Sequence, residues 1–132
     1  MNDPIDDFLA EGPWAVAGAT TVRSKYGNKV LRCYLQNEKL PVYPLNPRGG
    51  VIEGLEAFRS LAELPEPVRA LSIITPPAIT EDLVVEAAEA GISHLWMQPG
   101  AESERALELA EEHGLACIAG GPCLLVVLGY RE

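Results

Sequence analysis

Short apolar runs alternate with amphipathic stretches along the chain. Residues 14–18 (WAVAG) form an apolar run stopped by glycine, which reads as a buried strand. A polar loop follows at 19–24. Gly27, Val30, Leu31, Tyr34 and Leu35 then recur at helical spacing and predict a helix over 25–38. Residues 42–45 (VYPL) read as a second strand between Pro41 and Pro47, although Pro44 cannot donate to a ladder. A short helix is expected over 56–61 and a turn at 64–67 (LPEP). Residues 70–75 (ALSIIT) give a third strand, stopped by Pro76 and Pro77. Thr80 is the expected N-cap of the next helix, with Glu81 and Asp82 in its first turn and Gly91 at its end. Residues 93–97 read as a fourth strand, 103–113 as a helix closed by Gly114, and 115–119 as a fifth strand. Residues 124–128 (LLVVL) fit strand or helix, since periodicity does not decide.

Strands alternating with helices at this spacing predict parallel βαβ units: a doubly wound α/β protein with a mostly parallel five-stranded sheet and helices on both faces. The 132 residues suit one domain, 1–132. Such folds bind ligands outside the carboxyl ends of the strands, at the topological switch point. Function is therefore expected in loops 18–27, 45–50, 75–80 and 97–103.

Charge sharpens this expectation. The net charge is −9, which disfavours nucleic acid as a partner. Residues 20–50 nevertheless hold six basic residues and one acidic, a net of +5, while 51–132 carry a net of −10. A local positive region on an acidic chain suggests a confined anionic ligand. No run of 18 apolar residues is present, so no membrane span is expected. The acidic N-terminal stretch lacks the basic and apolar regions of a signal peptide, and three cysteines do not make a disulfide scaffold. A cytoplasmic location is the expectation.

Candidate chemistry is sparse. His94 opens a strand and His113 closes a helix, where the dipole favours a cation; both read as structural. Cys33 and Cys117 read as small apolar fillers, and Cys123 is the one thiol in a loop. No metal-ligand spacing or nucleophile motif is found, so no catalytic residue and no metal is expected. The loop Gly18-Ala19-Thr20-Thr21-Val22-Arg23-Ser24-Lys25-Tyr26-Gly27 is the best site. It leaves a strand and enters a helix, whose free N–H groups and dipole face it. Gly18 permits a sharp turn, Thr20, Thr21 and Ser24 offer hydroxyls, Arg23 and Lys25 add charge, and Gly27 permits close helix–sheet packing. The loop is neither G-x-G-x-x-G nor a P-loop. An ordinary glycine-containing βα turn remains an alternative.

The end of the second strand discriminates further. An NAD site places an acid there for the ribose hydroxyl. Asn46-Pro47-Arg48 offers a cation instead, which favours a phosphorylated ribose: NADP or coenzyme A. The Pro76-Pro77 pair suits the packing of an adenine face, or simply ends a strand.

Together these residues resemble the CoA-binding domain family, the Rossmann-like domain of small bacterial CoA-binding proteins and of the N-terminal part of the succinyl-CoA synthetase alpha subunit. The resemblance rests on Val16-Ala17-Gly18-Ala19-Thr20, Lys25-Tyr26-Gly27, Val42-Tyr43-Pro44-Leu45-Asn46-Pro47, Ser60-Leu61, Pro76-Pro77, Glu86-Ala87 with Gly91, and Trp96-Met97-Gln98-Pro99-Gly100. It implies a coenzyme A or acyl-CoA site. Gly18, Ala19 and Thr20, with Arg23, Ser24, Lys25 and Tyr26, would hold the phosphates. Asn46, Pro47 and Arg48 would lie near the ribose phosphate, and Thr75, Pro76 and Pro77 near the adenine. Small relatives often carry Asp-Arg before the last cysteine, where this chain has Gly121-Pro122. The reading is a CoA-binding protein without catalysis of its own, its protein partner unknown. A small NADP-dependent oxidoreductase and a regulatory or interaction subunit are the alternatives.

Overall fold

In the computed structural model residues 3–121 and 123–132 are described; Pro122, part of the departure from the family pattern, lies outside them. Five strands, β1 (Trp14–Ala17), β2 (Val42–Leu45), β5 (Ala70–Ile73), β6 (His94–Met97) and β7 (Ala116–Ile118), form one sheet in the order β2-β1-β5-β6-β7. Every pairing in it is parallel. The chain leaves β1, returns as β2 on one side, then crosses to β5 on the other. The switch point is the gap between β1 and β5.

The two faces are built by the period-2 alternation of the strands. Trp14, Val16 and Trp96 face one way, against Val30, Leu31 and Tyr34 of α2 (Tyr26–Gln36), Phe8 of α1 (Pro4–Ala10) and Leu124 of α5 (Leu124–Leu128). Ala15, Ala17, Leu71, Ile73, Leu95 and Met97 face the other way, against Val84 and Ala87 of α3 (Pro77–Glu89) and Ala106 and Ala110 of α4 (Glu104–Glu112). The central strands are covered on both faces and therefore read as continuous apolar runs. Ser72 is the polar exception in β5; its hydroxyl pairs with the buried Tyr34 hydroxyl at 2.6 Å, so neither group is left unsatisfied. This is the α/β, Rossmann-like architecture that the alternation predicts, and residues 124–128 resolve as a helix.

Pro44 fits because β2 is an edge strand. Its carbonyl accepts from the Phe58 N–H at 2.9 Å, on the side away from β1. The missing proline N–H thus falls on the outer side, where β1 needs no donor.

Two expectations are corrected and one element is added. The short helix over 56–61 is absent. Glu56 instead ends an antiparallel hairpin of β3 (Val51–Ile52) and β4 (Leu55–Glu56), and the helical turn is confined to Leu61–Glu63. Phe58 is drawn into a parallel bridge with Leu45, which overrides local helix propensity. Thr80 is not an N-cap: α3 begins at Pro77, whose fixed φ suits the first helical position, and Thr80 is buried in the first turn. Finally, α1 was not anticipated. Asp3 caps it by accepting from the Ile5 N–H at 2.8 Å, and Pro4 opens it.

Candidate functional site at the switch point

The loops that leave β1, β2 and β5 meet at their carboxyl ends around two adjoining hollows of about 280 and 380 Å³. Both are lined by Gly18, Leu45, Asn46, Pro47 and Thr75, so they form one groove. Ala19, Thr20, Lys25, Gly27 and Pro76 line one half. Arg59, Ser60, Ile79, Asp82, Leu83 and Glu86 line the other.

The floor of the groove depends on two glycines. Gly18 has φ +93, and a Cβ there would lie 2.1 Å from the Ile74 carbonyl oxygen. A Cβ on Gly27 would lie 2.0 Å from the Gly18 carbonyl oxygen. The start of α2 is thereby pressed directly onto the end of β1. Side-chain amides hold the loop around this contact. Asn46 Nδ2 donates to the Ala19 carbonyl at 2.9 Å, and Asn28 Nδ2 to the Thr20 carbonyl at 2.8 Å. The Asn46 carboxamide also accepts from the Arg48 N–H at 2.9 Å, which shapes the turn after β2. Thr75 and Thr80 hydroxyls join at 2.8 Å and tie α3 to the end of β5.

The sequence-derived residues divide into two groups. Gly18, Ala19, Thr20, Lys25, Asn46, Pro47, Thr75 and Pro76 are brought together on the groove. Ser24, Arg48 and Pro77 are adjacent in the chain but do not line it. Arg23 is engaged elsewhere: its guanidinium pairs with Glu53 at 3.4 Å, and its carbonyl accepts from Arg32 at 2.7 Å. Tyr26 turns away from the groove, toward the loop at the carboxyl end of β6. Its hydroxyl donates to Gln98 Oε1 at 3.2 Å and meets the Cys123 sulfur at 2.6 Å. Burial raises the Tyr26 pKa, and the Cys123 contact adds to the shift.

Two cations face the groove without an ion pair among the described residues: Lys25 at the α2 end and Arg59 at the other. The sequence reading missed Arg59 and the α3 residues. Ile79, Asp82, Leu83 and Glu86 follow i, i+3, i+4, i+7 spacing on one helix face, a signal readable once α3 is started at Pro77.

Neither histidine approaches this site. His94 is at the amino end of β6, its ring bonded to Ser93 Oγ at 2.7 Å, and His113 is the C-cap of α4. Among the described residues no group of three or more His, Cys, Asp or Glu is placed to hold a metal, and no helix is long and apolar enough to cross a membrane. Burial pushes the Cys33 and Cys117 thiols up to about 11. At pH 8 roughly one in a thousand of either is thiolate, so iodoacetamide should spare both in the native protein, with rates climbing toward pH 11. Mass-mapped alkylation checks this; labelling of either at the rate of a free peptide thiol at pH 8 would contradict it.

The model of the CoA binding domain family matches residues 13–129. Over 124 residues the chain is 26% identical to the ADP-forming acetate–CoA ligase II subunit alpha of Pyrococcus furiosus, covering 86% of this chain and 27% of that subunit. It spans only 17–27% of the length of the curated relatives it matches. Among solved structures, a conserved hypothetical protein from Pyrococcus furiosus is 38% identical, with a TM-score of 0.79 over 86% of this chain and 97% of that one. The dinucleotide-forming acetyl-coenzyme A synthetase 1 of Ca. Korarchaeum cryptofilum, in complex with phosphate and ADP, is 26% identical, with a TM-score of 0.76 over 90% of this chain and 27% of that one. With a glycine-floored groove at the β1/β5 switch point and a family match over most of its length, the chain belongs to the CoA binding domain family.

Proposed function

We propose that the protein binds coenzyme A or an acyl-CoA in the switch-point groove and catalyses no reaction by itself. The observation that carries this reading is the groove's layout: a glycine floor under a helix N-terminus, with unpaired Lys25 at one end and unpaired Arg59 at the other. A ligand with two separated anionic groups around a flat apolar ring matches that layout. The pyrophosphate lies over Gly18, Ala19 and Thr20, facing the free N–H groups at the start of α2, with Lys25 and the Ser24 hydroxyl beside it. Arg23 is neutralised by Glu53 and contributes local potential rather than a contact. Asn46 and Pro47 flank the ribose, with Arg48 in the turn beyond them and off the groove wall, and Thr75 and Pro76 with Ile79 and Leu83 flank the adenine, with Pro77 behind them at the start of α3. Tyr26 supports the loop from behind. The pantetheine arm leaves past Gln98-Pro99-Gly100, its thiol free to meet a partner protein.

Binding alone is proposed because no histidine or cysteine among the described residues lines the groove, and its carboxylates, Asp82 and Glu86, have no nucleophile hydrogen-bonded to them to activate. Both histidines serve the amino-terminal side of the sheet, and Cys33 and Cys117 are held protonated. Asn46 at the end of β2, where NAD sites carry an acid, speaks against NAD.

Thermal unfolding tests the reading. Coenzyme A should raise the melting temperature with concentration, adding about 2.7 kcal/mol at a hundredfold excess over Kd. Dephospho-CoA should add less. Equal or greater stabilisation by NAD would overturn the assignment.

A further inference from the structure

Resting on the coenzyme A reading, we propose that Arg59, rather than Arg48, is the residue that selects a phosphorylated ribose. The two arginines differ in placement. Arg48 lies in the turn after β2 but outside the groove lining, whereas Arg59 forms part of the groove wall beside Asn46 and Pro47. Its backbone is fixed there. Phe58 bridges Leu45, the Phe58 carbonyl accepts from the Asn46 N–H at 2.9 Å, and the Arg59 N–H donates to Glu63 Oε1 at 3.0 Å. The stem of Arg59 passes under Gly49, where a Cβ would lie 3.2 Å from its Nε. Gly49, at φ +68, leaves the room that stem occupies.

Charge placement leaves Arg48 and Arg59 equally without an ion pair among the described residues, so the groove lining decides between them. Arg23 pairs with Glu53, Arg69 with Glu11, and Arg105 with Glu108 and Glu112. Arg32 is bonded to Asn28 and to the Arg23 carbonyl. The Arg59 guanidinium has no ion pair or hydrogen bond among the described residues, so its planar fork is open to a phosphate. Across the groove, α3 presents Asp82 and Glu86. A phosphate on that side meets like charge, which confines it to the β2 side. The carboxylates are left as acceptors for hydroxyl or exocyclic amino groups. This polarity, cation on the β2 side and acids on the α3 side, fits a nucleotide carrying its extra phosphate on the ribose at the end of β2.

The test is calorimetric titration of wild type, Arg59→Gln, Arg59→Lys and Arg48→Gln with coenzyme A, dephospho-CoA and NADP. Wild type should prefer coenzyme A over dephospho-CoA by about tenfold or more, the scale of a charge-assisted contact. Arg59→Gln should bring the two within about twofold while holding dephospho-CoA with near wild-type affinity, which also shows that the variant folds. Arg59→Lys should regain part of the preference, and Arg48→Gln should keep it whole. Retention of the preference in Arg59→Gln, or its loss in Arg48→Gln, overturns the inference. A preference for NADP over coenzyme A that is lost in Arg59→Gln keeps the role of Arg59 and contradicts the coenzyme A reading. Wild-type protein that binds none of the three contradicts the coenzyme A reading itself.

Discussion

Gly27→Ala is expected to lower the unfolding free energy by about 2 kcal/mol, against the direction that helix propensity alone dictates. Gly27 lies inside α2, and replacing a helical glycine by alanine ordinarily stabilises by roughly 1 kcal/mol. Here the new Cβ would stand 2.0 Å from the Gly18 carbonyl oxygen and 2.9 Å from its carbon. Both are backbone atoms of the turn that leaves β1, so no side chain can swing aside. Relief requires α2 to lift off the sheet, and overpacking of this kind costs about 1–3 kcal/mol, occasionally more. Val30, Leu31 and Tyr34 travel with α2, and all three are fully buried. The clash therefore outweighs the propensity gain. Urea denaturation monitored by Trp14 and Trp96 fluorescence measures the change. The same displacement widens the phosphate cradle, so coenzyme A affinity should fall with stability. An unchanged or raised denaturation midpoint would mean that helix and strand do not approach this closely.

Lys25→Ala should weaken coenzyme A binding by about 1–3 kcal/mol with little effect on stability. Lys25 is the N-cap residue of α2, its side chain makes no capping bond, and it is exposed on the groove. Removing it leaves no buried group unpaired. What is lost is one cation at a helix N-terminus that already favours phosphate. Added salt should weaken the wild-type complex more than the variant's, because the missing interaction is the screened one. Lys39→Ala is the control. Lys39 belongs to the same basic stretch, but its ammonium sits 5.9 Å from the Trp14 ring centroid, at the amino end of β1. It should leave affinity unchanged. Equal loss from both variants would reduce the basic stretch to a diffuse field.

The elements legible in the sequence are those whose burial is local in origin. All five sheet strands announce themselves as short apolar runs; β1 and β5 are buried along their whole length, and the edge strand β7 is short and only partly covered. The glycine pair was legible by the roles of its members, Gly18 for the turn and Gly27 for the packing, and those roles match the close approaches found. What was not legible depends on distant partners. Residues 57–60 lose their helical tendency because Phe58 finds Leu45 across the edge of the sheet. The β3–β4 turn at Glu53-Gly54 has positive φ at both positions, yet glutamate gives no Asn-Gly signal to read. Arg48 precedes Gly49 and Arg59 follows Phe58, and nothing in either context marks the groove; the Phe58 bridge to Leu45 sets Arg59 beside it. The pairing of Arg23 with Glu53, thirty residues on, likewise depends on the β3–β4 turn and leaves no mark in the sequence around Arg23.

The most direct measurement is amide chemical-shift mapping of the labelled protein during titration with coenzyme A. The account predicts the largest changes at Gly18, Ala19, Thr20, Lys25 and Gly27, at Asn46, and at Thr75, with saturation at one equivalent and no comparable response to NAD. Shifts centred elsewhere, for example on His94 and Cys117 at the amino end of the sheet, or an equal response to NAD at the same amides, would contradict it.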